Sequence, residues 1–326
     1  MEKEKVLEVK NLHAVFKIQK KEYEVLHDIS FDVNRNETVC IVGESGCGKS
    51  VTTLCVMDLL PNNGRVTSGQ IILTRTDLRG LSSNEIRKFR GKKMGMIFQE
   101  PMTALNPLLT IGYQLRENIM LHRGADKKKA NEMAVEYLSK VGIANPEQRL
   151  KQYPFELSGG LRQRVLIAMV LSAQPDLLIA DEPTTALDVT IQKQVLTLLN
   201  DLKKDMDAGI MFITHDLGVV AEIADKVVVL YAGRKVEEGS VAQIFSNAKH
   251  PYTIGLMRAI PDVDKEDFVI EPIPGIFPNI TEDIPGCRFN PRCSRADECP
   301  LCKKEAPELI EVEKGHFVAC HLVKEG

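Results

Sequence analysis

Three features that would place this 326-residue chain in a membrane, outside the cytoplasm or on nucleic acid are missing from its sequence. No stretch approaches the roughly 18–20 uninterrupted apolar residues that a helix needs to span a bilayer. The charged start, residues 1–5, is not followed by the apolar core of a signal peptide. The formal net charge is only −3 with the two signs mixed, which argues against a general nucleic-acid-binding surface. These absences predict a soluble chain in the cytoplasm that reaches a membrane only through partners.

The hydrophobic content of 44% is enough for a sizeable core and for more than one structural unit. Strand and helix patterns alternate up to about residue 100 and again from about 165 to 245, which predicts an α/β fold on a mixed, largely parallel sheet. Residues 105–156 show helical patterning, as over 127–141. Prolines crowd residues 251–291 and predict an irregular but ordered extension that wraps over the core.

A glycine-rich segment after the strand-like run of residues 37–42 matches a phosphate-binding loop. Its glycines let backbone N–H groups turn inward around phosphates, Lys49 supplies charge and Ser50 a magnesium ligand. A helix is predicted to start at the end of the loop, where its dipole and free amides favour anions. The predicted nucleotide-binding residues are Gly43, Glu44, Ser45, Gly46, Cys47, Gly48, Lys49, Ser50 and Val51.

Acidic residues close a second buried strand. Asp181 ends the apolar run of residues 177–180, so its carboxylate emerges where strand ends meet ligands in α/β folds, and this position suits a magnesium-water contact. Glu182 follows directly. Upstream, Leu157 precedes Ser158-Gly159-Gly160-Leu161, and Ser158 is a natural N-cap for the helix predicted after it.

Taken in chain order, the phosphate loop, the Leu-Ser-Gly-Gly segment and the acidic strand end resemble the ATP-binding-cassette (ABC) family of P-loop ATPases. The resemblance implies that ATP and Mg²⁺ bind here and that Glu182 polarises the attacking water, a general-base role. It implies that Gln99, after the strand-like residues 94–98, touches magnesium, and that His215, after residues 210–214, contacts the γ-phosphate. The segment from Asp181 to Asp188 matches the family's path into the D-loop.

The family resemblance also implies a composite site. Two cassettes pack head to tail, so that Ser158, Gly159 and Gly160 of one face the γ-phosphate held by the other. Leu161 stands where the most common form of the motif has Gln, which leaves the backbone amides and Ser158 unchanged. An aromatic ring stacks on adenine in the family, and Phe16 is favoured for it here over Tyr23.

The C-terminal region indicates which branch of the ABC family the chain resembles. Three segments, 250–253, 286–293 and 318–321, are similar to ATPase subunits of dipeptide and oligopeptide importers. This implies a peripheral ATPase on the cytoplasmic face of the membrane, with two permease subunits, an extracytoplasmic peptide-binding protein and a second cassette. A sister ATPase is favoured over a homodimer as that cassette. Import of nickel complexes or haem is an alternative, and a soluble ABC ATPase acting on DNA or ribosomes is a weaker rival because it would carry coiled-coil or zinc insertions.

Five of the eight cysteines fall in the last forty residues, which in a cytoplasmic chain favours metal binding over disulfides. Their spacing lacks the two short pairs of a zinc ribbon. The importer resemblance implies a structural 4Fe–4S cluster on Cys287, Cys293, Cys302 and Cys320, with Cys299 as the alternative to Cys302. Zinc, or packing of reduced thiols alone, is also possible, and an independent nucleic-acid zinc module is a third reading. We therefore expect a nucleotide-binding domain over residues 1–250, its helical subdomain at about 105–164, and a metal-bearing extension over 251–326.

Overall fold

The computed structural model describes residues 4–98, 104–184, 189–259 and 272–324. In these ranges the strands are β1 (Lys5–Ile18), β2 (Lys21–Asn34), β3 (Thr38–Val42), β4 (Gly64–Leu73), β5 (Thr76–Asp77), β6 (Met94–Ile97), β7 (Leu177–Asp181), β8 (Gly209–Ile213), β9 (Lys226–Tyr231), β10 (Arg234–Ser240), β11 (Ile310–Glu313) and β12 (His316–Val318). The helices are α1 (Lys49–Val56), α2 (Ser83–Phe89), α3 (Ile111–Arg123), α4 (Lys127–Lys140), α5 (Pro146–Arg149), α6 (Gly159–Ser172), α7 (Val189–Met206), α8 (Leu217–Ile223), α9 (Val241–Asn247) and α10 (Pro251–Arg258). No helix in these ranges is long and apolar enough to cross a membrane.

The chain divides into two compact units, and the first is formed mainly by residues 80–212. It contains β6 and β7, which pair in parallel with Met94 opposite Leu177, and β8 lies next to β7. Every residue of β7 is buried, as the apolar run predicted. Helices α3, α4 and α6 pack on one another. Helix α4 begins after Asp126, whose carboxylate accepts a hydrogen bond from the Lys129 N–H at 2.8 Å, as expected of an N-cap.

The second unit holds residues 7–33, 37–79 and 213 onwards. One of its sheets has the order β2-β1-β4-β5, and β4 is antiparallel to β1 and to β5. Its other strands follow the order β11-β12-β10-β9-β3, in which only the β3–β9 pair is parallel. All five residues of β3 are buried, as expected of a parallel strand that is covered on both faces. The glycine-rich loop leaves the carboxyl end of this strand.

The C-terminal extension is more regular than its prolines predicted. It starts with α10, and its last part forms the hairpin β11–β12, which adds to β10 with Val318 opposite Glu237. The hairpin forms because residues 310–313 alternate apolar and acidic side chains and Gly315, at φ 73°, supplies the turn. The prediction of an irregular extension was therefore wrong for its two ends, which carry this helix and this hairpin.

A buried carboxylate fixes the hairpin and the start of α10 to the same point of β10. Glu237 is fully buried and accepts hydrogen bonds from the backbone N–H groups of Lys249 (2.7 Å) and His250 (3.0 Å). Its Oε1 also lies 2.8 Å from Nε2 of the fully buried His316 in β12. Three partners satisfy this one side chain, so the extension is tied to the unit that carries the glycine-rich loop.

Candidate nucleotide-binding site

Two glycines of the glycine-rich loop take backbone conformations that residues with side chains avoid. Gly43 and Gly48 take φ values of 148° and 111°, and a Cβ on Gly43 would lie 2.2 Å from the Leu230 carbonyl oxygen. A side chain at that position is therefore excluded by the neighbouring strand as well as by the turn. Cys47 is fully buried beneath Gly43, and burial raises the pKa of its thiol, which agrees with a packing role.

Lys49 lies inside the loop. It is 6% exposed, and its Nζ donates to the carbonyl oxygens of Gly43 (2.7 Å) and Glu44 (3.0 Å). Its ammonium group is thus held among the backbone of the loop that is predicted to surround the phosphates. Ser50, the predicted magnesium ligand, is exposed on the first turn of α1.

The extension contacts this loop directly, which the sequence did not reveal. The Glu44 N–H donates to the hydroxyl of Tyr252, a fully buried residue of α10, at 2.8 Å. The Glu44 carboxylate accepts two hydrogen bonds from Arg292, at 2.7 and 3.1 Å. Arg292 also donates to the backbone oxygens of Pro274 (2.8 Å) and Ile273 (3.3 Å). Burial opposes its charge, but the hydrogen bonds to Glu44 and Tyr231 raise the pKa of Arg292 above its ordinary value.

An aromatic cluster supports these contacts. Tyr231, the last residue of β9, packs edge-on against Tyr252, Phe277 and Phe289, with ring centroids 4.6–5.2 Å apart. Such pairs stabilise beyond the area that they bury. The Phe277 ring also lies against Gly46 of the loop, since a Cβ there would be 3.6 Å from it. The loop is thus held from outside by the extension.

The acidic strand end belongs to the first unit. Asp181 closes β7 and is 9% exposed, and Glu182 follows it with a φ of 46°, an uncommon conformation for a residue with a side chain. Strain of this kind clusters at functional sites. The buried Gln163 of α6 donates from Nε2 to the Pro183 carbonyl oxygen at 2.8 Å, which fixes the turn after Glu182. Gln163 was not predicted, because a polar residue inside a helix has no signature of its own.

The Leu-Ser-Gly-Gly segment starts a helix, as predicted. Ser158 is the N-cap of α6 and accepts a hydrogen bond from the Leu161 N–H at 3.4 Å. Ser158 and Gly159 are exposed, and no atom of the described residues lies within 4 Å of a Cβ built on Gly159. Leu157, by contrast, is 4% exposed and anchors the segment. The N-terminus of α6 is therefore open to a ligand or a partner.

The other residues predicted for the site lie on other strands and loops of the chain. His215 is exposed between β8 and α8, where Asp216 caps the helix by accepting from the Gly218 N–H at 2.9 Å. Phe16 is half-buried in β1 with its ring over Gly64 of β4, and Tyr23 lies in β2 with the Lys21 Nζ 5.1 Å from its ring centre. Gln99 and Asp188 lie outside the described residues.

The five C-terminal cysteines all lie in the described ranges, and their pKa values reflect both burial and one another. Burial and the neighbouring thiols of Cys299, Cys287 and Cys320 raise the pKa of Cys302 to about 11, and the pKa of Cys287 is likewise raised to about 11, chiefly by burial. The thiols thus interact electrostatically. Across the described ranges, however, no three His, Cys, Asp or Glu side chains are arranged to hold a metal ion. The structure therefore does not support the predicted cluster.

Family models match two parts of the chain. The model described as ABC transporter matches residues 26–185. The model described as oligopeptide/dipeptide transporter, C-terminal region, matches residues 236–299. The second match covers β10, α10 and the part of the extension that contacts the glycine-rich loop.

Relatives match almost the whole chain. The dipeptide transport ATP-binding protein DppD of Bacillus subtilis is 47% identical over 98% of this chain and 95% of its own length. The oligopeptide transport ATP-binding protein OppD of Haemophilus influenzae is 47% identical over 98% of both. Among solved structures, the dimeric ATP-binding cassette MJ0796 bound to ADP and Pi is similar with a TM-score of 0.65 and 27% identity, over 72% of this chain and 98% of that one.

Proposed function

Because this chain belongs to the ATP-binding subunits of oligopeptide and dipeptide ABC importers, we propose that the residues identified above divide the work of hydrolysis and subunit coupling among them. The chain is an ATP hydrolase coupled to peptide transport, and this membership implies permease partners in a membrane and a substrate-binding protein.

The glycine-rich loop is the segment that we assign to nucleotide binding. Its backbone amides and the Lys49 ammonium would bind the β- and γ-phosphates, and Ser50, Asp181 and Gln99 are the residues assigned as Mg²⁺ ligands. Magnesium would neutralise charge that develops on the phosphates. Phe16, or Tyr23 as the alternative, would stack on adenine. Support comes from the backbone of the loop and from the buried position of Lys49.

Glu182 is the residue that we assign to the chemical step of ATP hydrolysis. Its carboxylate would accept a proton from the attacking water, and His215 would contact the γ-phosphate. The φ of 46° at Glu182 and the hydrogen bond from Gln163 to Pro183 support a carboxylate held in a fixed direction.

The exposed N-terminus of α6 is the surface that we assign to contact with a second cassette. Ser158, Gly159 and Gly160 would bind the γ-phosphate on another cassette, with Asp188 at the contact between the two. We favour a sister ATPase over a second copy of this chain. Closure of the pair on two MgATP and reopening after hydrolysis would then drive the permeases from the cytoplasmic face of the membrane.

Substitution at Glu182 tests the division of roles. We expect Glu182→Gln to keep ATP affinity and to lose turnover, because it removes the general base and leaves the phosphate contacts of Lys49. Lys49→Ala is the matched control and should weaken binding itself. Titration with a non-hydrolysable ATP analogue and a steady-state phosphate assay separate the two effects. Parental turnover in Glu182→Gln would show that the base lies elsewhere.

Association tests the composite site. We expect the isolated chain to be mainly monomeric with low ATPase activity, and ATP to promote association most clearly in Glu182→Gln. Light scattering with and without the sister subunit measures this. If neither sample associates on addition of ATP, the head-to-tail pairing is contradicted.

As a second candidate property of the extension, we propose that Cys287, Cys293, Cys302 and Cys320 hold a structural 4Fe–4S cluster. The mutual electrostatic interactions of these thiols support it, and their arrangement in the structure does not. Anaerobically purified protein should contain iron and acid-labile sulfide. Colourless protein with stoichiometric zinc would contradict the cluster, and unchanged iron in Cys302→Ser but not Cys299→Ser would make Cys299 the ligand.

A further inference from the structure

A cavity of about 520 Å³ opens in the second unit, and we call it the C-terminal cavity. It is bounded by β2, β10 and the extension, and its lining includes His27, Arg234, Arg288, Phe289 and Leu309. It is separate from the glycine-rich loop, none of whose residues line it. Its volume falls within the range of roughly 300–1,000 Å³ that is usual for small-molecule sites.

Two guanidinium groups face this cavity without a close anion. The Arg234 Nε is buried and has no hydrogen-bond partner in the described ranges. Arg288 lacks a hydrogen-bonded carboxylate there as well, although Glu24 and Asp283 attract it at longer range. Burial and the neighbouring Arg234 lower the pKa of Arg288, which reflects the cost of holding two like charges together. A buried donor left unpaired in this way destabilises a protein unless a ligand or water satisfies it.

Two of the other charged groups of the cavity wall already have hydrogen-bond partners. Lys235 donates to the Ser30 carbonyl oxygen at 2.5 Å and pairs with Glu238. Asp28 accepts from the Asn11 side-chain amide at 2.7 Å. Glu308 is a further carboxylate of the lining. The buried side-chain atoms of the cavity that lack a hydrogen-bond partner among the described residues are therefore on arginine, with one exception.

The exception is an acceptor on His27, which is 7% exposed. Its Nδ1 lies 2.9 Å from Oε2 of Glu24, and the pKa of that carboxyl is lowered by the two histidines beside it although burial opposes this. An ionised Glu24 requires the proton on Nδ1, so Nε2 carries a lone pair. Burial, then Arg288, lowers the pKa of His27 to about 4, so the ring is neutral at pH 7. Nε2 is buried and unpartnered in the described ranges.

We propose that the C-terminal cavity binds a phosphate-class oxyanion that carries at least one hydroxyl group. Unprotonated oxygens would accept hydrogen bonds from Arg234 and Arg288, and the hydroxyl would donate to Nε2 of His27. Hydrogen phosphate has both kinds of oxygen, and so does a small phosphomonoester of a polyol, whose carbon atoms would pack on Phe289 and Leu309. Sulfate has the same charge and shape but no proton at neutral pH, so it leaves Nε2 unpaired.

Calorimetric titration of the full chain tests this proposal. Lys49→Ala is used as the background so that the glycine-rich loop contributes less phosphate binding. We expect saturable one-to-one binding of inorganic phosphate, with sulfate about tenfold weaker because one buried acceptor stays unpaired. Arg234→Gln and Arg288→Gln should each weaken binding by about tenfold or more. Arg75→Gln, which removes the same charge from an exposed residue that does not line the cavity, should leave affinity unchanged.

Glycerol 3-phosphate distinguishes the two sources of the ligand. Tighter binding than inorganic phosphate assigns the cavity to a phosphomonoester, and weaker binding assigns it to free phosphate. Thermal unfolding gives a readout that does not depend on heats of binding. Phosphate should raise the Tm of the Lys49→Ala protein and fail to raise that of its Arg288→Gln derivative. Absence of saturable binding of both probes, or equal binding in the Arg75, Arg234 and Arg288 variants, would overturn the proposal.

Discussion

Two arginines four residues apart in the extension have opposite surroundings. Arg292 is 7% exposed and donates to the Glu44 carboxylate and to two backbone oxygens. Arg288 lines the C-terminal cavity beside Arg234 and has no hydrogen-bonded carboxylate among the described residues. The guanidinium group of Arg292 thus has hydrogen-bond partners, whereas that of Arg288 has no carboxylate partner among the described residues.

This difference separates a structural side of the extension from a binding side. An unpaired buried charge lowers the free energy of unfolding, so a site that serves stability alone would pair the charge or lack it. The loop side, formed by Arg292, Tyr252, Phe277 and Phe289, holds the glycine-rich loop in place. The cavity side keeps donors and an acceptor available, which is the arrangement expected where a ligand supplies the missing partners.

Arg292→Met should have the largest effect and would break the loop side. It removes both hydrogen bonds to Glu44 and those to Pro274 and Ile273, and leaves the carboxylate without its partner. We expect a loss of about 3 kcal/mol in the free energy of unfolding, at the low end for a buried pair because Glu44 keeps some solvent contact. ATP affinity should fall as well, since the loop loses its brace. Urea unfolding and nucleotide titration measure the two effects.

Arg295→Met is the matched control for that experiment. This arginine lies three residues further on, is exposed and pairs with Glu298 on the surface. Its loss should not change stability measurably, because surface ion pairs contribute little. A similar loss in both variants would show that the contact with Glu44 is not what stabilises the loop side.

Acid should destabilise the loop side through His250. This residue is 1% exposed, and its Nδ1 accepts from the Tyr252 N–H at 3.1 Å, so burial lowers its pKa to about 3. The unfolded chain takes up a proton near pH 6.5 and the folded chain does not. The contribution of His250 to stability is therefore constant above pH 6.5 and falls below it by about 1.4 kcal/mol per pH unit, or about 2 kcal/mol by pH 5.

His250→Asn provides the comparison for the pH experiment. Asparagine keeps an N-cap acceptor for α10 and cannot titrate. The fall in stability between pH 6.5 and pH 5 should be smaller by about 2 kcal/mol in this variant. Equal slopes in the two proteins would mean that His250 is protonated in the folded state.

Tyr252→Phe is expected to have a smaller effect on the same side. It removes the hydroxyl that accepts from the Glu44 N–H and keeps the ring within the aromatic cluster. The cost should be about 1–2 kcal/mol, the penalty for leaving a part-buried donor unpaired. Thermal unfolding measures it. No change would indicate that water replaces the hydroxyl.

The sequence predicted the loop itself but not what holds it. Glycines, lysine and a buried strand follow one another in the chain, so local patterns reveal β3, the loop and α1. The same is true of β7 and Asp181, and of α4. Arg292, by contrast, meets Glu44 across 248 positions, and no periodicity records such a pair. The family match supports peptide import, while the arrangement of the cysteines does not support the cluster that their number suggested.

Arg288→Met, on the cavity side of the extension, should have the smallest effect on stability. In phosphate-free buffer it relieves the repulsion with Arg234 and removes no hydrogen bond to a described carboxylate, so stability should change by less than about 0.5 kcal/mol or rise. After burial, Arg288 is the largest cause of the low pKa of His27, so that pKa should rise above about 4 in the variant. The pKa of His250 depends on burial alone and should stay unchanged. NMR titration of the two histidines measures both. A fixed pKa at His27 would mean that burial and Arg234 keep its ring neutral without Arg288. A loss of stability as large as that of Arg292→Met would remove the distinction between the two sides.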